Sequence, residues 1–474
     1  MKFKKLASAV LALSMTATAI LQTGISATAD SGNTMRDMST MEIVNDMGIG
    51  INLGNTFEAC GDWIAQWGDG TTSSYETAWG SPVVTQELIQ GYANAGFDSL
   101  RIPVAWSNMM ADDGNYQINS EYMTRVNEVV DWALDAGLYV IVNLHWDYGW
   151  LEEVPTNYNM CIEKYTAIWT QVADNFKDYG DYLIFESQNE ELGWSSLWNQ
   201  WAGNDGKEES YQYVNAINQK FVDIIRNSGG NNPERHLLIS GYNTGIDTTC
   251  DALFKMPNDP ASRCAVSVHY YSPATFAILE EDADWGKASS TWGTEQEYAD
   301  LNSQMDLLKT TFVDNGIPVI IGEYGCPKKN KEEESVRRFL TSVCECALSR
   351  GGICPVLWDV TDLHYDRTNY TMIDEQLHSQ FLALKDKYVV KTPDIEQPTE
   401  TTETTNDVNQ FIIGDVNADS EFSMLDIVMM QKWLSGKGNL KNWKAGDLDN
   451  NGLINIYDFC LMKNLLLRQN IDTM

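Results

Sequence analysis

The sequence predicts an α/β protein in which a (β/α)8 TIM barrel is followed by a linker and a small all-α module. Three observations indicate this fold class. Short β-branched runs alternate with amphipathic segments through residues 31–391, a Thr/Glu/Pro-rich stretch covers 392–408, and two similar acidic segments lie within 409–474. The alternation is typical of strands that are connected by helices, and the composition of the middle stretch is typical of an extended linker.

The first 29 residues have the features of a secretory signal peptide. Lys2, Lys4 and Lys5 form a basic start, residues 6–21 are largely apolar, and Ala27-Thr-Ala29 fits a cleavage site with small residues. The apolar part is short and interrupted by Ser and Thr, so a membrane span is not expected. The sequence therefore predicts a secreted, extracellular protein.

Eight apolar runs are the candidate barrel strands. They are Ile49–Leu53, Ser99–Pro103, Tyr139–His145, Leu183–Glu190, Leu237–Gly241, Ala265–Tyr271, Val319–Tyr324 and Pro355–Val360. Nearly continuous β-branched runs indicate strands that are buried on both faces and hence parallel. A doubly wound open sheet is the alternative, but no Gly-rich phosphate loop opens any of the helices to support it.

Amphipathic segments between these runs are the candidate helices. They are Thr85–Ala95, Ser120–Ala136, Cys161–Tyr179, Tyr211–Ser228, Glu295–Asn315 and Lys331–Ser349. Several of them end at or next to a glycine, as helix C-termini often do.

Charge and cysteine content restrict the partners and the chemistry. The net charge of −35 would repel phosphate, so nucleic acid and anionic membranes are not expected as partners. The nine cysteines are scattered through apolar runs and are expected to be buried thiols, although an odd number in a secreted chain leaves their pairing open.

Polar and aromatic side chains stand at the C-terminal ends of six candidate strands. These are Arg101, His145, Asn189, Glu190, His269, Tyr271, Glu323 and Trp358. In a barrel these ends meet at one mouth, where catalytic residues lie. Two carboxylates among aromatic rings are the minimal apparatus for glycoside hydrolysis, in which one carboxyl donates a proton and the other attacks the sugar.

The ordered set of motifs resembles glycoside hydrolase family 5, in its bacterial endoglucanase and xyloglucanase branch. The motifs are Gly50-Ile-Asn-Leu-Gly-Asn55-Thr, Tyr75-Glu-Thr-Ala-Trp79-Gly, Phe97-Asp-Ser-Leu-Arg101-Ile-Pro, Val142-Asn-Leu-His145, Ile184-Phe-Glu-Ser-Gln-Asn189-Glu190, Val268-His269-Tyr-Tyr271, Ile321-Gly-Glu323-Tyr-Gly and Leu357-Trp358-Asp. The resemblance covers residues 40–390 and implies a (β/α)8 catalytic domain at 31–391 that uses no cofactor for catalysis.

The resemblance also implies roles for these residues. Glu190 would be the acid/base and Glu323 the nucleophile of a retaining double displacement, with the two carboxyl groups about 5–5.5 Å apart. The substrate-binding positions would be Arg101, His145, Asn189, His269, Tyr271 and Trp358. Two positions depart from the usual pattern: Trp146 stands where relatives often have a second His, and Glu191 replaces a Pro.

Four further carboxylates lie near the same strand ends. Glu186 is expected to be structural because it lies inside a strand. For Glu58, Glu76 and Asp359 the sequence leaves open whether they line sugar subsites or support the fold.

Two 12-residue segments at 415–426 and 447–458 place oxygen-bearing side chains at loop positions 1, 3, 5, 9 and 12, and an apolar run of helical period follows each. This spacing suits a hard cation such as Ca²⁺. The repeat resembles a type I dockerin at 409–474, which implies two structural Ca²⁺ ions and a cohesin domain of a scaffoldin as partner. The implied metal ligands are Asp415, Asn417, Asp419, Glu421 and Asp426, then Asp447, Asp449, Asn451, Leu453 and Asp458, with Glu421 and Leu453 acting through their carbonyls.

Two details of the repeat affect binding. Ser420 replaces the glycine that usually forms the sharp turn, so the first loop is expected to hold Ca²⁺ less firmly. The apolar pairs Met424-Leu425 and Ile456-Tyr457 are expected to form the cohesin-docking face.

The favoured function is that of a secreted, cellulosome-associated endo-β-1,4-glucanase, a cellulase that acts on plant cell-wall β-glucan. The sequence leaves xyloglucan, mixed-linkage glucan, xylan and mannan open as substrates. The alternative from another class is a catalytically silent polysaccharide-binding barrel, which the presence of both Glu190 and Glu323 disfavours.

Overall fold

The computed structural model describes residues 33–192, 197–201, 203–390, 412–419, 421–434, 437–438, 440–448, 454, 458–459, 461–463 and 465–466. The predicted signal peptide and linker lie outside these residues. The chain divides into two compact units, Met1–Tyr388 and Val389–Met474. No helix within the described ranges is long and apolar enough to span a bilayer.

Eight parallel strands form a closed barrel in the first unit, in which each strand pairs with the next and β1 pairs with β8. The strands are β1 (Gly50–Asn52), β2 (Ser99–Ile102), β3 (Tyr139–Asn143), β4 (Leu183–Glu186), β5 (Leu237–Ser240), β6 (Cys264–Tyr270), β7 (Val319–Tyr324) and β8 (Ile353–Leu357). The predicted closed barrel is confirmed, and the alternative prediction of a doubly wound open sheet is wrong. A small antiparallel pair, β9 (Tyr365–Asp366) and β10 (Thr371–Met372), follows β8.

Helices connect and cover the strands. They are α1 (Thr40–Asp46), α2 (Asp62–Trp67), α3 (Thr72–Glu76), α4 (Gln86–Asn94), α5 (Ser120–Asp135), α6 (Val154–Asn175), α7 (Lys207–Arg226), α8 (Ile246–Thr249), α9 (Ala274–Ala277), α10 (Glu295–Thr311), α11 (Glu333–Leu348) and α12 (Glu375–Tyr388). Short 3₁₀ turns at Trp150–Glu153 and Tyr242–Thr244 lie among them.

Helix ends follow the local sequence. Asn119 accepts two backbone N–H bonds at the start of α5, and Thr294 forms a capping box with Glu297 at the start of α10. Gly96 and Gly137 follow α4 and α5 with φ of 91° and 79°, a conformation that side chains with a Cβ rarely adopt.

The N-terminal end of the barrel is closed by apolar residues. Ile43 and Val44 of α1, with Met38 and Met47, pack against inward-facing strand residues such as Ile141. Because this end is filled, polar chemistry is left to the opposite end, where the strands finish.

The second unit contains α13 (Met424–Leu434), which packs through Ile427 and Met430. These side chains cluster with Val416, Ile454, Phe459 and Met462. The core of the unit is small, so the buried acidic residues of its loops matter for its stability.

Candidate active site

Arg101 is the hub of the polar cluster at the C-terminal end of the barrel. Its guanidinium is fully buried on β2. Nε donates to Glu186 (2.7 Å), and Nη1 donates to Glu323 (2.7 Å) and to Asn52 (3.0 Å). Nη2 donates to Asn189 Oδ1 at 2.9 Å, so the Asn189 amide is turned with its N–H₂ group left to donate elsewhere.

Glu323 lies on β7 and is held by three neighbours. Its Oε1 accepts the Arg101 bond, and its Oε2 accepts a hydrogen bond from the Tyr271 hydroxyl at 2.9 Å. His269 Nδ1 lies 3.6 Å from the same Oε2. These donors fix the orientation of the carboxylate at the mouth of the barrel.

Glu190 follows β4 and pairs with His269 of β6. The distance from His269 Nδ1 to Glu190 Oε1 is 2.6 Å. Burial opposes the charge on both groups. The charge of Glu323 and the bond to Glu190 nevertheless raise the pKa of His269, and the bond to His269 with the charge of Arg101 lowers the pKa of Glu190. The charge of Glu323 is the strongest of the influences that raise the pKa of His269. The pair therefore holds a proton beside Glu323.

Oxygen atoms of Glu190 and Glu323 and a ring nitrogen of His269 all lie within 4.8 Å of one another. Three such groups could in principle hold a metal ion. Since Arg101 and Tyr271 already occupy the oxygens of Glu323, the arrangement suits two carboxylates that act on one substrate bond.

Aromatic rings form one wall of this centre. Trp358 follows β8, and its ring is nearly parallel to that of His145, with 6.2 Å between the ring centres and 8° between the planes. Burial and the charge of Arg101 lower the pKa of His145 to about 3, so this imidazole is neutral at physiological pH.

The family model of cellulase (glycosyl hydrolase family 5) matches residues 60–363. The chain belongs to glycosyl hydrolase family 5. A second model, the dockerin type I domain, matches residues 413–467, so this family 5 hydrolase has a dockerin at its C-terminus.

Similar proteins agree with the family and show the range of substrates within it. Endoglucanase B of Clostridium cellulovorans is 32% identical over 87% of this chain and 86% of its own length. A broad specificity endoglucanase of subfamily 4 from an uncultured bovine rumen ciliate superposes with a TM-score of 0.66, at 36% identity over 74% of this chain and 99% of that one. The Bacteroides ovatus family 5 xyloglucanase in complex with a heptasaccharide superposes with a TM-score of 0.65, at 33% identity over 76% of this chain and 80% of that one. This family 5 chain is a glycoside hydrolase that acts on β-1,4-glucan.

The structure brings all eight residues that were singled out from the sequence to the same barrel end, namely Arg101, His145, Asn189, Glu190, His269, Tyr271, Glu323 and Trp358. Five of them (His145, Asn189, Glu190, Tyr271 and Trp358) lie beyond the last residue of a strand instead of inside one.

The additional carboxylates are structural. Glu58 accepts backbone N–H bonds from Asn55 and Thr56, and Asp359 accepts them from His364 and Tyr365. Glu76 binds Arg125, and Glu186 binds Arg101 and Ser267. All four are buried and use their oxygens within the fold, so the subsite alternative for Glu58, Glu76 and Asp359 is not supported.

Sequence reasoning missed the turn after β5, which braces Glu190. Ser240 donates to the Gln188 carbonyl, and the Tyr242 hydroxyl donates to the Leu192 carbonyl at 2.6 Å, so the chain is held two residues before and two residues after Glu190. Thr244 in this turn has φ of 47°, which is unusual for a β-branched residue. Ser, Tyr and Thr after a strand carry no catalytic pattern, and only the fold shows their proximity to Glu190.

The first dockerin loop is described almost completely. Asp415 Oδ1 and Asn417 Oδ1 both accept from the Asp419 N–H, at 3.1 and 2.7 Å. Asp426 is fully buried and accepts from the N–H groups of Asn417 and Ser423. Buried, converging oxygens of this kind fit a Ca²⁺ ion, which would neutralise them.

The second loop is described only in part. Asp458 is fully buried and accepts from the Leu448 N–H at 2.9 Å, and Asp447 is among the described residues. The predicted ligands Asp449, Asn451 and Leu453 lie outside the described residues, as do Ser420 and the pair Ile456-Tyr457. Met424 and Leu425 are exposed, at 64% and 63%.

The buried cysteines Cys60, Cys161, Cys326 and Cys344 carry free thiols, as expected from their apolar surroundings. Burial raises the pKa of Cys60 and of Cys161 to about 11, which keeps both thiols protonated and unreactive at neutral pH.

Proposed function

We propose that this protein is a secreted, retaining endo-β-1,4-glucanase in which Glu323 is the nucleophile and Glu190 the acid/base. The observation that carries the proposal is the distance below 4.8 Å between oxygens of the two carboxylates, with His269 between them. Inverting enzymes need room for a water molecule, and their carboxyl groups are about 6.5–9.5 Å apart.

The first step would form a glycosyl ester on Glu323. Arg101 and Tyr271 hold the Glu323 carboxylate and aim it at the sugar carbon, while Glu190 delivers the proton of the Glu190–His269 pair to the leaving oxygen. The free N–H₂ group of Asn189 is placed to donate to a sugar hydroxyl, and Trp358 offers a flat face for stacking.

In the second step Glu190 must act as a base, and the loss of the negative charge on Glu323 in the first step prepares it for this role. The Glu323 carboxylate raises the pKa of His269, so esterification removes a negative charge that kept the proton on the pair. The pair then takes a proton from water, whose oxygen attacks the anomeric carbon. The bond from that carbon to Glu323 breaks, which restores the carboxylate and releases the sugar with its configuration retained.

Paired variants test these roles. Glu323→Gln is expected to lose about 10⁴-fold or more in kcat on all substrates, because no nucleophile remains. Glu190→Gln is expected to lose activity on polysaccharide and to keep most of its first-step rate on a dinitrophenyl cellobioside, whose leaving group needs no proton. Glu121→Gln, at a solvent-exposed glutamate of α5 outside the centre, serves as the control. Equal losses by Glu190→Gln on both substrates would contradict the assignment of the acid.

For the preferred polysaccharide we propose a β-glucan with β-1,4 linkages, since an endoglucanase and a xyloglucanase are both among the similar proteins. Xylan and mannan are the remaining candidates. Comparison of kcat/KM on hydroxyethylcellulose, xyloglucan, lichenan, xylan and mannan decides among them, and a preference for xylan or mannan would contradict this part of the proposal.

We further propose that the segment 1–29 directs secretion, that 392–408 is a linker, and that the dockerin binds two Ca²⁺ ions and a cohesin domain of a scaffoldin. The buried oxygens of Asp415, Asn417 and Asp426 support the first ion, and exposed Met424 and Leu425 support a docking face. The enzyme would thereby be attached to an extracellular cellulosome.

A further inference from the structure

The exposed tryptophans of the barrel unit are concentrated at one end. Within the described residues, side chains exposed by more than a third are found at Trp63, Trp67, Trp79, Trp146, Trp201 and Trp285. Each of these lies between the C-terminal end of a strand and the long helix that follows, in the segments after β1, β3, β4 and β6. A single exposed indole needs no explanation, but the concentration of several at the catalytic end of the barrel indicates that some of them contact a ligand.

Two of these tryptophans share one short helix. Trp63 and Trp67 lie four residues apart on α2, so their side chains project from the same face, about 6 Å apart along the helix axis. They are 47% and 82% exposed, whereas Ile64 of the same helix is buried in the core. Ile64 thus anchors α2, and the two indoles remain outside. We call Trp63 and Trp67 the α2 platform.

The segment that leads into the α2 platform is bonded to the loop after β3. Cys60, two residues before α2, donates its Sγ–H to the carbonyl of Trp146 at 3.4 Å. Trp146 follows His145, whose ring is stacked with Trp358. The segment before α2 is therefore held against the residue that follows His145 in the active-site wall.

Charge restricts what the α2 platform can bind. Asp62 begins α2, Asp69 follows it closely, and the chain carries a net charge of −35. An anionic polymer would be repelled, whereas an uncharged sugar chain stacks its C–H faces on indole rings without a charge requirement.

We propose that the α2 platform binds a single, uncharged β-1,4-glucan chain where it leaves the active-site cleft past the loop after β1. The platform spans about one sugar residue and is joined to the cleft, so it suits one extended chain better than the flat surface of a cellulose crystal. The inference rests on the proposed function for the course of the chain through the cleft.

Binding measurements in a Glu323→Gln background test the α2 platform without hydrolysis. Trp63→Ala/Trp67→Ala is expected to weaken binding of hydroxyethylcellulose by roughly tenfold in isothermal titration, equivalent to about 1.4 kcal/mol. Binding of cellotriose, a short ligand that we expect to bind at the catalytic centre, is expected to change less than twofold. Alanine favours helix, so α2 and the thermal unfolding midpoint should be retained.

Trp285→Ala in the same background is the matched control, since Trp285 is 62% exposed on the loop after β6. Unchanged binding of hydroxyethylcellulose by the double variant, or an equal loss of binding in the control, would overturn the proposal that the α2 platform binds the glucan chain. Loss of binding to microcrystalline cellulose alone would assign α2 to a crystal surface and would also overturn it. Failure of the wild-type protein to hydrolyse hydroxyethylcellulose would instead contradict the proposed function.

Discussion

Glu191 makes the stability of the barrel depend on pH in a way that one substitution can isolate. Its side chain is 2% exposed, and its Oε2 has no hydrogen-bond partner among the described residues. Burial, with the nearby charges of Glu152, Asp147 and Glu190, raises the pKa of Glu191 to about 8. The carboxyl is therefore mostly protonated at neutral pH and adds little negative charge beside Glu190.

The sign and size of the effect follow from linkage. Below pH 4.5 Glu191 is protonated in both the folded and the unfolded chain and has no effect on stability. Between 4.5 and about 8 only the unfolded chain loses the proton, so the free energy of unfolding falls by about 1.36 kcal/mol per pH unit. The loss reaches roughly 3 kcal/mol at pH 7 and roughly 5 kcal/mol above pH 8.

Glu191→Gln keeps the shape and removes the titration. We expect the variant to match the wild type near pH 4.5 and to be more stable by about 3 kcal/mol at pH 7, as measured by urea unfolding of the two proteins from pH 4.5 to 9. Glu87→Gln, a solvent-exposed glutamate of α4, is the control and should run parallel to the wild type. Parallel curves for Glu191→Gln and wild type over the whole range would refute the reasoning.

Three further perturbations have defined outcomes. Tyr271→Phe removes the hydrogen bond to Glu323, and a hydrogen bond to a charged group is worth about 1.5–3 kcal/mol. We therefore expect kcat to fall roughly 10- to 100-fold with little change in KM. A change confined to KM would contradict this role of Tyr271. In Arg101→Lys the ammonium group cannot bridge Glu186 and Glu323 at once, so the free energy of unfolding should fall by about 3–5 kcal/mol in urea titration. A loss below about 1 kcal/mol would argue against Arg101 as the hub of the polar cluster. Removal of Ca²⁺ with EDTA should abolish cohesin binding in a pull-down and leave hydrolysis of hydroxyethylcellulose intact, and loss of hydrolysis would contradict the separation of the two units.

The barrel could be predicted from the sequence because strands buried on both faces leave a strong pattern. Val319–Tyr324 was predicted with the observed bounds, but Leu183–Glu190 was predicted four residues too long. The excess contains Asn189 and Glu190, whose backbone leaves the ladder so that their side chains reach the centre. Polar residues that continue an apolar run therefore indicate a site, and they also obscure the strand end.

The residues that hold the catalytic side chains in place could not be predicted in the same way. Asn52, which accepts a hydrogen bond from Arg101, and Tyr242, which holds the Leu192 carbonyl, are ordinary residues in the sequence. Their function depends on contacts 49 and 50 residues away along the chain, which only the closed barrel creates. Likewise, a carboxyl such as Glu58 is recognisable as structural only once its backbone donors are known.

The stereochemistry of the first product tests the central claim most directly. Proton NMR of the reducing end released from cellotetraose, recorded within the first minutes, distinguishes the anomers before mutarotation. With Glu323 as nucleophile and Glu190 as acid/base less than 4.8 Å away, the β-anomer should appear first and the α-anomer only later by equilibration. Initial release of the α-anomer would mean inversion and would contradict the double displacement on Glu323.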